Sequence, residues 1–220
     1  MIAVVDYQKG NLKSVERGLI AAGGEAFITA DASEIAKADA IVLPGVGAFA
    51  DAAATMCELG QMDVIRERVR VGVPFLGICL GEHLMFEHGV EGAPEGSPAC
   101  GLGLLPGTVV AMPRCDAQGK TFKVPHVGWN TIEMPACNGS ELAFACPLFD
   151  GIAPGEYFYF THSYIAPTGS HTIAETTHST RFTSAVQYGD RAFGVQFHPE
   201  KSSDAGARVL ANFVAIAARG

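Results

Sequence analysis

Residues 73–83 read VPFLGICLGEH. The run from Val73 to Ile78 shows no polar alternation, the pattern of a strand buried on both faces, as in a parallel sheet. It ends on Cys79, with Gly77 two places before and Gly81 two places after. A strand that turns at once into a helix holds its turn residue in a strained backbone conformation, and small residues at those two spacings relieve the crowding. The stretch therefore reads as a strand, an elbow at Cys79, and a helix beginning in HLMFEH (83–88). A thiol at a helix start meets backbone N–H groups that favour its anion.

The same signal precedes this stretch. IAVVDY (2–7) is an apolar run ending in an acid, followed by a glycine-containing turn and by Leu12, Val15 and Leu19 at helical spacing. EAFITA (25–30) and AIVLPG (40–45) are further strands with a small-residue helix between them, and residues 48–70 carry apolar side chains at helical spacing. From residue 104 the pattern changes. TVVAMP (108–113), FKVPHVGWNTIE (122–133), EYFYFTHSY (156–164), HTIAETTH (171–178), TSAVQYG (183–189) and AFGVQFHPE (192–200) follow one another without helices, as hairpins do. SSDAGARVLANFVAIAARG (202–220) closes the chain as a helix, with Ser203 or Asp204 as N-cap and Leu210, Phe213, Val214 and Ala217 facing inward. The expected fold is three-layer α/β, with a largely parallel central sheet, helices on both faces and an antiparallel, strand-rich second half. One domain spans residues 1–220.

With 220 residues, 48% of them hydrophobic, the chain can bury a substantial core. A formal net charge of −8, with no Lys/Arg cluster, argues against a nucleic-acid partner. The start, MIAVVDYQKG, is too short and too acidic for a signal peptide, and no stretch reaches the roughly 18 uninterrupted apolar residues of a membrane span. Cys57, Cys79, Cys100, Cys115, Cys137 and Cys146 form no CxxC pair and no zinc-like spacing. Reduced thiols in a cytoplasmic protein are expected.

A cysteine nucleophile needs a base and a group to orient that base. GVQFHPEKS (194–202) offers both: a strand ends at His198, Pro199 stops it and Glu200 follows. Two residues apart on an extended chain, the side chains of His198 and Glu200 point to the same side. The carboxylate can then hold one ring nitrogen while the other faces the thiol. Both motifs end apolar strands, where open α/β sheets place ligands. His83, four residues after Cys79, is a rival base. LPGVGAF (43–49) is a third strand ending in a glycine-rich turn, which lets backbone N–H groups point at a developing oxyanion.

PGVG, GICLG and HPEKS, in this order, resemble the motifs of the class I, or triad, glutamine amidotransferases. DYQKGNLKSV (6–15), GLGLLPG (101–107), VPHVGWN (124–130) and YFYFTHSY (157–164) narrow the resemblance to the glutaminase subunits of imidazole glycerol phosphate synthase, over nearly the whole chain. The resemblance implies an enzyme that hydrolyses L-glutamine to glutamate and ammonia through a cysteinyl thioester. The ammonia would supply a (β/α)8 cyclase subunit, its partner in a heterodimer, which makes imidazole glycerol phosphate and an aminoimidazole ribonucleotide in histidine biosynthesis. Cys79 is then the nucleophile, His198 the general base and acid, Glu200 its orienting group, and the backbone amides of Val46 and Leu80 the oxyanion donors. Gly47, His83, Ser163 and Tyr164 match positions at the substrate glutamine, and Asn11, Trp129 and Lys201 match positions near the cyclase. No cofactor and no metal is implied. Two positions depart from the family pattern: His83 replaces a substrate-binding glutamine of GxCxGxQ, and Gln8 replaces a common glycine. A non-catalytic, glutaminase-like binding subunit and another cysteine hydrolase, such as a γ-glutamyl peptidase, are the alternative readings.

Overall fold

In a computed structural model, which describes residues 1–135 and 144–219, the elbow strand is buried at all five of its positions and sits in the middle of a seven-stranded sheet. Cys137 lies outside the described residues. The first half of the chain runs Ile2–Val5 (β1), Leu12–Ala21 (α1), Ala26–Thr29 (β2), Ala32–Ile35 (α2), Ala40–Gly45 (β3), Phe49–Glu58 (α3), Gln61–Arg70 (α4), Phe75–Cys79 (β4) and Leu80–His83 (α5). It continues through Phe86–Gly89 (β5), Ala99–Cys100 (β6), Leu105–Ala111 (β7), His126–Thr131 (β8), Tyr157–His162 (β9) and Tyr164–Ile165 (β10). Thr172–Thr177 (β11), Arg181–Tyr188 (β12), Ala192–Val195 (β13) and Ser203–Ala217 (α6) complete it, with 3-10 turns at Pro147–Phe149 and Pro199–Lys201.

The large sheet has the order β11-β12-β13-β4-β3-β1-β2. Five strands, from β13 to β2, are parallel, and β12 and β11 turn antiparallel at one edge. Strands β1, β3, β4 and β13 are buried throughout because apolar clusters cover both faces. One cluster joins them to Val15 and Leu19 of α1 and to Val209, Leu210 and Phe213 of α6; the other joins them to Phe49 and Met56 of α3 and to Ile65 of α4. This is the three-layer arrangement that uninterrupted apolar strands require. Beside it stand a four-stranded sheet, β10-β7-β5-β6, and the two-stranded ribbon β8-β9. No helix among the described residues is long and apolar enough to cross a membrane.

Several local expectations need correction. The helix after Cys79 ends at His83, and Phe86 begins β5, which pairs in parallel with β7. A short apolar run fits either element, and here pairing with β7 decides it. Residues 48–70 form two helices, broken at Gly60, whose φ of +68° takes the left-handed turn between them. The N-cap of α6 is Ser202, not Ser203 or Asp204. Along α6, Leu210 and Phe213 are buried as expected, whereas Val214 and Ala217 are only partly covered. The second half is partly antiparallel, as expected; within it β13 returns between β12 and β4 and runs parallel to β4. That return brings the HPE segment beside the elbow.

Candidate active site

Cys79 adopts φ 54° and ψ −104°, a conformation that side-chain-bearing residues rarely occupy. Its two glycines permit it. A β-carbon on Gly77 would lie 2.5 Å from the Gly81 oxygen, and one on Gly81 would lie 1.8 Å from the Leu43 oxygen. The elbow is thus pressed against α5 on one side and β3 on the other. Strain of this kind costs about 1–3 kcal/mol and persists because the surrounding sheet over-determines it. Because α5 is a single turn, its dipole is small, and the sulfur also has an imidazole beside it.

That imidazole is His198. Val195 of β13 pairs with Ile78 of β4, so the chain leaves both strands at the same sheet edge. The 3-10 turn Pro199–Lys201 folds Glu200 back, and His198 Nδ1 lies 2.9 Å from Glu200 Oε1, both side chains being buried. The His198 N–H donates to the Tyr159 carbonyl, and Ser202 Oγ donates to the His198 carbonyl while accepting from the Tyr159 N–H. The segment is therefore fixed against β9. With Nδ1 held by the carboxylate, Nε2 is buried and has no hydrogen-bond partner among the described residues. Burial pulls the imidazole down, but its interactions with Cys79 and Glu200 outweigh this and push it up to about 9.

Cys79 opens onto a cavity of about 270 Å3. Six residues named from the sequence line it with the cysteine: Val46, Gly47, Leu80, His83, Ser163 and Tyr164. Gly47, at φ +103°, turns the chain between β3 and α3. His83 is buried on the cavity wall, and its Nε2 lies 2.7 Å from Gln196 Oε1 rather than on the thiol. Burial lowers it to about 4, against the opposing pull of that hydrogen bond. Trp129 and Lys201 lie elsewhere, both against Tyr159: the rings are 6.2 Å apart, and Lys201 Nζ is 5.8 Å from the Tyr159 ring centre. Trp129 is 50% exposed on the outer face of β8-β9, with Val127 and Tyr157 exposed beside it. Asn11 is the N-cap of α1, which packs against the 3-10 turn carrying Lys201. Gln8 has φ +67°, a left-handed conformation that explains why a glycine suits this position.

Other residues of the site escaped the sequence reading. Glu91 lines the cavity; its backbone carbonyl accepts from the Ala50 N–H at the start of α3, and burial raises its carboxyl against the opposing pull of the nearby Phe49 N–H. Glu82 and Tyr7 are fully buried near the sulfur, and burial first, the negative charge of Cys79 second, raises both. His162 lines the cavity too. Its Nδ1 lies 2.8 Å from the Tyr164 carbonyl, which can only accept, so Nε2 is left to accept from His126 Nδ1 at 3.0 Å. Burial lowers His126 to about 4 and His162 to about 3, so the pair is neutral and fixes the corner between β9 and β10 that carries Ser163 and Tyr164. Nothing in hydrophobic periodicity marks these groups; only the histidines in VPHVGWN and YFYFTHSY were visible as polar interruptions of apolar strands.

Comparison with known proteins agrees with this geometry. Residues 3–217 match the family model of glutamine amidotransferase class-I. The imidazole glycerol phosphate synthase subunit HisH of Moorella thermoacetica is 44% identical, over 96% of this chain and 93% of that one. The subunit of the same name from Syntrophotalea carbinolica is 40% identical, over 97% and 98%. The fold is shared with a crystal structure of a glutamine amidotransferase, at TM-score 0.70 and 20% identity over 99% of this chain and all of the other. PurLQS from Thermotoga maritima shares it at TM-score 0.68 and 16% identity, with 97% of each chain covered. On a match that spans nearly every residue, the chain belongs to the glutamine amidotransferase class-I family and, within it, to the HisH subunits of imidazole glycerol phosphate synthase.

Proposed function

We propose that this chain hydrolyses L-glutamine to glutamate and ammonia in histidine biosynthesis, with Cys79, His198 and Glu200 as its catalytic groups. The observation that carries the reading is the meeting of three features at one sheet edge: a strained cysteine, a buried His198–Glu200 pair coupled to it, and a cavity that holds the cysteine. The Cys79 thiolate attacks the side-chain amide carbon. The carbonyl oxygen becomes an oxyanion that accepts from the backbone N–H groups of Val46 and Leu80. His198, charged in the resting pair, gives its Nε2 proton to the leaving nitrogen; the C–N bond breaks and a γ-glutamyl thioester remains. His198 then takes a proton from water, whose oxygen attacks the thioester, and sulfur leaves as the thiolate. Glu200 keeps the imidazole in the tautomer and orientation both steps need.

Gly47, Ser163 and Tyr164 border the glutamine, with His83 on the cavity wall and Glu91 as the carboxylate suited to the substrate's α-ammonium group. The chain acts as one amidotransferase domain in the cytoplasm and binds a (β/α)8 cyclase, which uses the ammonia to form imidazole glycerol phosphate and an aminoimidazole ribonucleotide. Chemistry supports a partner. Free ammonia in neutral water is mostly ammonium, which is not a nucleophile, so the product needs a shielded path. Thr161, Tyr159 and Tyr157 alternate along the outer side of β9, and this face runs from the cavity rim to the exposed Trp129. A partner seated on Trp129, Lys201 and Asn11 would therefore adjoin the cavity. The test is ammonia release from glutamine by the folded chain, with and without the cyclase, together with labelling of Cys79 by a glutamine-analogue electrophile. Release and labelling are expected; absence of both overturns the proposal.

A further inference from the structure

Gln196 is fully buried next to the nucleophile and has no part in the mechanism above. Among the described residues its carboxamide makes two hydrogen-bond contacts. Oε1 lies 2.7 Å from His83 Nε2, and the amide nitrogen donates to Cys79 Sγ at 3.7 Å. A carbonyl oxygen only accepts, so His83 Nε2 carries a proton in this arrangement. The reverse orientation of the carboxamide would turn an oxygen lone pair on a thiolate. A thiolate at Cys79 therefore selects the orientation with the amide nitrogen on sulfur, and that orientation in turn requires the proton on His83 Nε2. His83 lines the cavity, and its Nε2 is committed to Gln196.

We infer that Gln196 is a positioning residue that holds the Cys79 thiolate through an N–H donor, and that His83 orients this donor from the far side and acts on the reaction through it. The inference rests on the reading of Cys79 as a glutaminase nucleophile and adds the groups that set its charge. The donor serves twice. It holds the resting thiolate, and it receives the sulfur again as a leaving thiolate when water cleaves the thioester.

Alkylation of the full chain by iodoacetamide, followed on the Cys79 peptide across pH, reads the thiolate without any turnover of glutamine. Gln196→Met removes the donor at similar volume and is expected to raise the alkylation midpoint by about one pH unit, the scale of a hydrogen bond to a charged group. His83→Phe is expected to raise it by less, and the double variant by no more than Gln196→Met alone. With the cyclase present, His83→Phe should lower kcat while KM for glutamine stays within about twofold. An unmoved midpoint in folded Gln196→Met, additive shifts in the double variant, or a large rise in KM for His83→Phe would each overturn the inference. Should Gln196→Met not fold, His83→Phe decides alone, with His83→Gln, which keeps a donor, expected to restore the midpoint. Absence of ammonia release from the unmodified chain would overturn the proposed function instead, while the midpoints, which need no glutamine, still decide this inference.

Discussion

A β-carbon on Gly81 would lie 1.8 Å from the Leu43 carbonyl oxygen, so the turn after Cys79 exists only because residue 81 has no side chain. Gly81→Ala must push α5 off β3 and carry the Leu80 amide with it. The expected result is a loss of about 3 kcal/mol or more by urea denaturation, together with loss of ammonia release. Gly23→Ala is the control: it has φ +88° and nothing within 4 Å, and should cost only about 1 kcal/mol from its backbone conformation. Equal stabilities for the two variants would contradict the packing argument.

The pH dependence follows from His198. Its native value of about 9 exceeds the ordinary 6.5, so the folded chain binds this proton more tightly than the unfolded chain does. The stabilisation is complete below about 6.5 and is lost as pH rises through about 9. Removing the sulfur in Cys79→Ala leaves only Glu200 to oppose the pull of burial, so the NMR titration midpoint of the His198 ring protons should fall. The alkaline loss of stability should also flatten in Cys79→Ala. A midpoint indifferent to the sulfur would separate the two groups.

Glu200→Gln keeps the shape of the side chain but offers Nδ1 an amide in place of a carboxylate. The imidazolium loses its counter-ion, and the wrong tautomer becomes available. Ammonia release should drop by about 10³-fold in kcat with KM for glutamine little changed, as expected for a group that acts only through the base. A rise in KM without a fall in kcat would assign Glu200 to substrate binding.

The Glu91 backbone carbonyl accepts from the Ala50 N–H at the start of α3 while its side chain lies near the Phe49 N–H and lines the cavity, so its two roles can be separated. Glu91→Gln retains an oxygen for the Phe49 N–H but loses the charge that suits the α-ammonium of glutamine. The loss of one charge-assisted hydrogen bond predicts a KM about 10-fold to 100-fold higher, with an unchanged alkylation profile at Cys79. An unchanged KM in steady-state kinetics would place the α-ammonium elsewhere.

The parallel core was legible because burial on both faces leaves a mark in each strand: IAVV, AIVLPG and FLGIC carry no polar alternation, and all are buried. The elbow was legible because backbone crowding demands glycine at fixed spacings. Tertiary pairing left no such mark. Phe86–Gly89 is a strand because β7 lies beside it, which no local pattern announces. The site divides the same way. Cys79, His198 and the cavity residues Val46, Gly47, Leu80, Ser163 and Tyr164 stand in recognisable motifs and meet in space. Glu91 and Gln196 join them through long-range folding, and the partner of the His83 ring could be read only from coordinates.

Trp129 is the remaining test, since a half-exposed tryptophan on an outer strand face does little for the fold that carries it. Its ring meets only the edge of Tyr159 among the aromatic groups of the described residues. Trp129→Ala should therefore leave urea stability within about 0.5 kcal/mol. It should also leave Cys79 alkylation as it was, because the ribbon's inner face, with Phe158 and Phe160, is untouched. Binding of the cyclase should weaken about 30-fold or more, the scale of an interfacial aromatic anchor. Lys201→Ala, which removes the charge over the same tyrosine, should weaken it less, because an exposed charge contributes little. Titration of the chain with cyclase, read by stimulated ammonia release, measures both. Undiminished affinity in Trp129→Ala would move the interface off this face and remove the physical reason for a shielded path between Thr161 and the partner.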